Sequence, residues 1–80
     1  MIYMHEGTIS WKKKIGSGYS NMSKKVTMVT VLKDTEEMNR DPKFIMSMMG
    51  RHGLKSNSVY DFHVSSIEKS KEISRSFYHK

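Results

Sequence analysis

The sequence contains an alternating segment with a glycine-rich end, Thr8-Ile9-Ser10-Trp11-Lys12-Lys13-Lys14-Ile15-Gly16-Ser17-Gly18. Alternate side chains of an extended chain point to opposite faces, so Ile9, Trp11 and Ile15 share one face. Lys13 falls on that otherwise apolar face, and an inward-pointing charge is typical of an edge strand. The segment therefore predicts a β-strand at the edge of a sheet, ended by the glycines.

A second strand is predicted at Val26–Leu32, where five of seven residues are apolar. Apolar residues fall on both faces of this strand, which is typical of a central strand. Together the two segments indicate a β-hairpin, and we expect residues 16–23 to form a flexible, hydroxyl-rich tip. A further short strand is possible at Ile2–Glu6.

The charge of the chain is unevenly distributed. Residues 1–33 carry six lysines and one acid, residues 34–44 carry four acids and two basic residues, and the whole chain has a net charge of +6. Five of the lysines flank the predicted tip: Lys12, Lys13, Lys14, Lys24 and Lys25. A positive field of this kind attracts acidic partners, such as nucleic acid or an acidic protein surface, although it also serves solubility.

Length and composition limit the classes of protein to which the chain can belong. Eighty residues predict a single domain, 1–80, and the absence of cysteine excludes a disulfide framework or a thiolate metal site. The apolar fraction of 36% is low for a globular chain, so self-association is possible. No apolar run approaches the roughly 20 residues that span a bilayer, and the N-terminus lacks the pattern of a signal peptide. We expect a cytoplasmic protein with no membrane partner.

The region 34–53 carries helix signals. Asp34 can cap a helix, Glu37 can reach back to it, and the acids complement the helix dipole. Asp41-Pro42 interrupts the pattern, since proline suits the first turn of a new helix. We expect either a short turn at 35–40 followed by a helix at 42–52, or one kinked helix. A stripe at helical spacing then faces the core, and it comprises Met38, Ile45, Met48, Met49 and His52, with Phe44 beside them.

Two methionines and one glycine add detail to this helical region. Met46 points away from the stripe and, together with Met38, predicts an exposed apolar patch. Gly53 can close the helix.

A third strand is predicted within 57–67, and simple alternation places Tyr60, Phe62 and Val64 on one face. The tail, residues 68–80, is ambiguous. Ser65-Ser66-Ile67-Glu68 can form a capping box that starts a helix, yet the spacing of Ile67, Ile73 and Phe77 also suits a strand.

These elements define an α+β fold. We expect a small β-β-α-β layer, an antiparallel sheet of three or four strands with one helix packed on one face and the tail as an extra strand or helix. The hairpin, the acid-capped helix and the strand ending Val64-Ser65-Ser66-Ile67-Glu68 resemble many small β-β-α-β proteins, including ribosomal and phage-encoded ones. The resemblance is one of general shape and carries over no site residues.

The residues predicted to bind a partner are the five lysines of the hairpin, with Trp11 or Tyr19 as an aromatic anchor. Trp11 shares its face with Ile9 and Ile15, which favours a core position for Trp11. Tyr19 is therefore the better candidate for the aromatic anchor. No nucleophile–base arrangement, phosphate-binding loop or paired-carboxylate motif is present, so no enzyme activity, cofactor or metal is predicted. Asp61 and His63, two residues apart, are a remote candidate for a metal site or for acid–base catalysis. His52, at a helix C-terminus, is interpreted as a partner of the helix dipole.

Three functions follow, in order of preference. The first is a small basic accessory or inhibitor protein, phage-like in style, that docks on an acidic protein or nucleoprotein surface and blocks nucleic-acid access. The alternative is direct, mostly non-specific binding of RNA or DNA. The third is a small metal- or histidine-dependent nuclease built on Asp61 and His63.

Overall fold

The fold is an antiparallel sheet of three strands with two short helices between the second and third. A computed structural model describes residues 1–73 of the chain. Its elements are β1 (Ile2–Ile15), β2 (Gly18–Thr30), α1 (Thr35–Asn39), α2 (Pro42–Arg51) and β3 (Val59–Ile73). The strand order is β2-β1-β3, and both pairings are antiparallel. The α+β class is therefore confirmed.

The first strand is central, contrary to the edge position that Lys13 suggested. It is a single strand of 14 residues that absorbs the separate strand expected at Ile2–Glu6. Its odd-numbered side is buried at His5, Gly7, Ile9 and Trp11, whereas its even-numbered side carries polar residues. We call these two sides of the sheet the core face and the outer face.

The second strand is an edge strand, although its apolar residues predicted a central one. Val26 and Met28 are buried on the core face, but Val29 and Val31 are exposed. Their apolar character therefore reflects strand propensity and not burial on two faces.

The flexible tip predicted at residues 16–23 is absent, because β2 begins at Gly18. Ile15 pairs with Gly18, so only Gly16 and Ser17 form the turn. Gly16 has φ of +55°, and a glycine with positive φ at the first of two turn residues is typical of a type II′ hairpin turn. Most of the serine- and asparagine-rich segment is thus regular strand.

The helical region follows the first of the two expected alternatives, a break before Pro42 and a new helix after it, but the short turn expected at 35–40 is itself a short helix. Asp34 caps α1 by accepting a hydrogen bond from the backbone N–H of Glu37 (2.9 Å), and Glu37 in turn accepts one from the N–H of Lys33 (3.2 Å). Asp41 caps α2 through the N–H groups of Lys43 and Phe44, at 3.0 and 3.2 Å. The cap predicted at Asp34 is confirmed, and two helices are present where the fold prediction had one.

The core joins both helices to the sheet. Met38 of α1 and Met48 of α2 are buried in the same cluster as Ile9, Trp11 and Met28, and Phe44, Leu54 and Phe62 pack against it. Met46 is 72% exposed, as its position on the helix predicts, but Met38 is fully buried. The two methionines therefore do not form the exposed patch that was expected.

The third strand is irregular and longer than predicted. Its register with β1 shifts at three places, between Glu6 and Gly7, between Thr8 and Ile9, and between Ser10 and Lys12 of β1. Ser65–Glu68 lies inside this strand, so the helix-capping interpretation is wrong. The tail continues as strand to Ile73, and the prediction for the rest of it lies outside the described residues.

A buried histidine ties three parts of the chain together. His5 is 1% exposed; its Nε2 donates to the carbonyl of Leu32 (2.8 Å) and its Nδ1 pairs with the hydroxyl of Ser70 (2.7 Å). The imidazole thereby connects β1 with β3 and with the segment that leads from β2 into α1. Both ring nitrogens have partners, as a buried polar side chain requires.

We expect Gly7→Ala to destabilise the protein by about 1–3 kcal/mol, the usual range for overpacking a tight site. A Cβ at this position would overlap the Ser66 carbonyl oxygen and lie 3.0 Å from Cε of Met28. The measurement is the free energy of unfolding in urea. Gly18→Ala is the control, because a Cβ there meets no atom within 4 Å. Equal stabilities for the two variants would contradict the packing argument.

Candidate docking surface

Two tyrosines and two lysines form the most prominent exposed group on the outer face. Lys12 and Lys14 are even-numbered residues of β1, and the strand register places Tyr60 of β3 opposite Lys12 and Tyr19 of β2 opposite Lys14. Tyr19 is 61% exposed and Tyr60 is 42% exposed. We call these four residues the tyrosine–lysine patch.

The two tyrosine rings contact each other across the central strand. Their centroids are 5.3 Å apart and their planes meet at 83°, an edge-to-face arrangement. Such aromatic pairs are favourable beyond the area that they bury. The contact favours one mutual arrangement of two large exposed side chains.

The predicted partner-binding residues are divided between the two faces. Lys25 lies opposite Thr8 and shares the outer face with Lys12 and Lys14, whereas Lys13 and Lys24 belong to the core-face register and are nevertheless exposed. The lysines therefore do not form one continuous patch, and three of the five project with the exposed tyrosines.

Trp11 is part of the core and not of this surface. It is 8% exposed and its ring stacks on Phe62, with centroids 6.1 Å apart. Of the two aromatic anchors proposed from the sequence, Tyr19 is the one that a partner can reach.

The hairpin lysines form no ion pair within residues 1–73. The ion pairs found among residues 1–73 are Arg40–Glu36 (2.7 Å) and His63–Asp61 (3.9 Å), and no lysine takes part. The positive field of the hairpin is therefore available to an external acidic group.

Tyr60 is the functional candidate that sequence reasoning missed. Alternation placed it on one face with Phe62 and Val64, but the register shift opposite Trp11 returns Tyr60 to the outer face while Phe62 packs on Trp11. Asp61 has φ of +56° at this shift. Aspartate is among the few residue types that tolerate positive φ. An aspartate within an apolar alternation was therefore the feature of the sequence that could have indicated the register shift.

Asp61 and His63 lie beside the patch, at a recess of about 220 Å³ that Lys12 and Ser23 also line. Nδ1 of His63 donates to the carbonyl oxygen of Asp61 (2.8 Å), and the same nitrogen lies 3.9 Å from the Asp61 carboxylate. Among residues 1–73 no group of three or more histidines or acids is placed to hold a metal ion. The geometry joins the two side chains but adds no third ligand to them.

His52 is the C-cap residue of α2, at the helix end where the sequence placed it. Its Nε2 is buried without a hydrogen-bond partner. Burial, followed by the positive charges of Lys24 and Arg51, lowers the pKa of His52 below the ordinary histidine value. The neutral imidazole is therefore the form that this position favours.

Comparison with protein-family models, with curated proteins and with solved structures found no match to this chain. No helix within residues 1–73 has the length and apolar character needed to cross a membrane. The tyrosine–lysine patch is therefore interpreted from its own geometry.

We expect His52 to make folding less stable at acidic pH. Because its pKa is lower in the folded state than in the unfolded state, where it is about 6.5, the unfolded chain binds more protons as the pH falls. Its contribution is complete above pH 6.5 and is lost as the pH falls toward the folded-state pKa. His52→Gln should flatten this part of the pH profile of unfolding.

The measurement is chemical denaturation at a series of pH values, together with NMR titration of the His52 ring. Lys24→Met is the second variant, and it should raise the pKa of His52 by removing one of the positive charges near it. A folded-state pKa at or above 6.5 would contradict the assignment.

Proposed function

We propose that this protein is a non-enzymatic accessory or inhibitor protein that docks on an acidic protein or nucleoprotein surface and blocks the access of nucleic acid. The observation that carries the proposal is the exposed tyrosine pair on the two strands that flank β1, opposite two lysines of β1 that form no ion pair within residues 1–73. Tyrosine is enriched among the residues that dominate binding energy at protein interfaces, and uncompensated lysines direct the approach of an acidic partner.

The distribution of charge supports oriented docking. The acids Asp34, Glu36, Glu37 and Asp41 lie in and around the two helices, whereas Lys12, Lys14 and Lys25 project from the outer face of the sheet. We take the helices and the sheet as two layers, with the helices on the core face and the outer face left for the partner. The acids of the outer face, Glu6 and Glu68, lie farther along the sheet from Lys12 and Lys14, so a field of this kind orients the hairpin end of that face toward negative charge.

The rigidity of the surface also supports docking. All four patch residues lie in paired strands, and the turn that joins β1 to β2 contains two residues. A surface that is already ordered needs little rearrangement on binding, in contrast to a flexible loop.

We expect the double substitution Lys12→Glu/Lys14→Glu to reduce binding to the partner about tenfold or more, because it places acids against an acidic surface. The test is affinity purification from the native host cell with and without nuclease, followed by a binding measurement with the purified partner. Wild-type protein should recover the same protein complex after nuclease treatment.

Lys69→Glu/Lys71→Glu is the matched control for this experiment. It makes the same change of net charge on β3, at the end of the sheet where Lys71 pairs with Met4. Equal loss of binding in both variants would show that only net charge matters and would remove the patch from the proposal.

The second candidate function is direct binding of single-stranded RNA or DNA. The observation that favours it is the position of two exposed aromatic rings beside lysines on an uncovered stretch of sheet. Aromatic rings stack on bases of any sequence, and lysines neutralise the phosphates between them. Recovery of partners that nuclease treatment abolishes would favour this function over the first.

Direct binding predicts a salt dependence that matches the hairpin lysines on the outer face. Three phosphate contacts, from Lys12, Lys14 and Lys25, give a slope of about −2 for log K against log salt concentration with a single strand. Tyr19→Ser should weaken the binding about tenfold with little change in slope, since a stacking contact is worth about 1–3 kcal/mol. Fluorescence anisotropy with a labelled oligonucleotide measures both. Binding that is absent, or insensitive to salt, would exclude this candidate.

A further inference from the structure

Within residues 1–73, β2 pairs with β1 on one side and with no strand on its other edge. Strand order places β2 outermost, and the helices pack toward β3 on the other side of the sheet. Residues 21–25 are all exposed. An edge strand presents backbone N–H and C=O groups that another extended chain can pair with.

The opposite edge of the sheet is protected in two ways. Three register shifts make β3 irregular, and bulges of this kind hinder the addition of a further strand. In addition, the side chain of Asn39 occupies the free backbone groups of Val64, donating to its carbonyl (3.0 Å) and accepting from its N–H (2.8 Å). By contrast, β2 pairs with β1 without a register shift from Thr30 to Gly18.

The charges of β2 select among possible occupants. The strand contains Lys24 and Lys25 and no acid. Adjacent strand residues project to opposite faces, so an added strand would meet one lysine on each face. A second copy of β2 would bring lysines against lysines, which is unfavourable, whereas an acidic strand would pair with both.

We propose that the β2 edge binds an extended acidic segment of a partner protein by strand addition, with two consecutive acids of that segment opposite Lys24 and Lys25. Main-chain hydrogen bonds provide the affinity in this mode of recognition, and the side chains provide the selectivity. The inference rests on the proposed function in one respect, the acidic character of the partner, and uses a different surface from the tyrosine–lysine patch.

The test uses the full chain, labelled with ¹⁵N, and the blocked peptide acetyl-Thr-Val-Glu-Glu-Val-Thr-amide. Addition of the peptide should shift the amide resonances of β2 and slow hydrogen exchange at alternate residues of that strand. The corresponding peptide with Lys-Lys in place of Glu-Glu should bind about tenfold more weakly, and one with proline at a central position should not bind.

Charge exchange provides the decisive variant. Lys24→Glu/Lys25→Glu should lose affinity for the Glu-Glu peptide and gain affinity for the Lys-Lys peptide. Both lysines are exposed, so the variant should retain a dispersed spectrum. The inference would be overturned if millimolar peptide left the amide resonances of β2 unchanged. It would also be overturned if the protein alone dimerised in sedimentation experiments and that dimerisation protected the β2 amides.

A second variant separates this inference from the proposed function. Lys12→Ser/Lys14→Ser leaves the β2 edge intact and should bind the Glu-Glu peptide with unchanged affinity. If this variant lost the peptide while Lys24→Glu/Lys25→Glu kept it, the edge inference would be wrong and the docking function of the patch would stand. If the peptide bound at β2 but the patch proved dispensable in host-cell purification, the edge inference would stand and the docking function of the patch would be wrong.

Discussion

The pairing of β1 with strands on both of its sides is the constraint on which the rest of the structure depends. Because β1 satisfies its backbone on two sides, it fixes the positions of β2 and β3, and its odd residues from His5 to Trp11 provide one side of the core. Gly7 allows the closest approach to β3, where even a methyl group would overlap the Ser66 carbonyl. His5 adds hydrogen bonds to Ser70 and Leu32. The outer face follows from the same pairing, since the even neighbours of the buried odd residues project from the opposite side of the sheet.

The irregularity of β3 follows from its own sequence. Val59, Phe62, Val64 and Ile67 all pack against the core, yet two of the spacings between them are three residues. Strict alternation would bury only part of this set, so an extra residue must be accommodated at each odd spacing. The shift at Asp61 has a second consequence, because it turns Tyr60 outward to meet Tyr19. The same local distortion thus completes the core and builds the exposed patch.

Local features of the fold could be predicted from the sequence, and those that depend on pairing partners could not. The cap at Asp34, the new helix at Pro42 and the core position of Trp11 are set by nearby residues and follow from residue type and spacing. The segment from Gly18 to Lys25 has no apolar periodicity and forms a strand because β1 pairs with it. The order of strands in the sheet also depends on contacts between residues far apart in the sequence. The apolar residues of β2 therefore indicated a central strand, although β2 lies at the edge. Of the candidate site, the lysines and Tyr19 were found, whereas Tyr60 depended on a register shift.

The two exposed surfaces make different physical use of lysine. In the patch, Lys12 and Lys14 share a face with two large aromatic rings, so charge adds direction to contacts that the rings can supply. On the β2 edge, Lys24 and Lys25 project to opposite faces, so neither face gains a dense charge and the backbone groups between them stay accessible. Lysine at an edge hinders pairing with an identical, equally basic edge but does not hinder pairing with an acidic strand. The same two residues can therefore protect the edge from self-association and select the partner that it accepts.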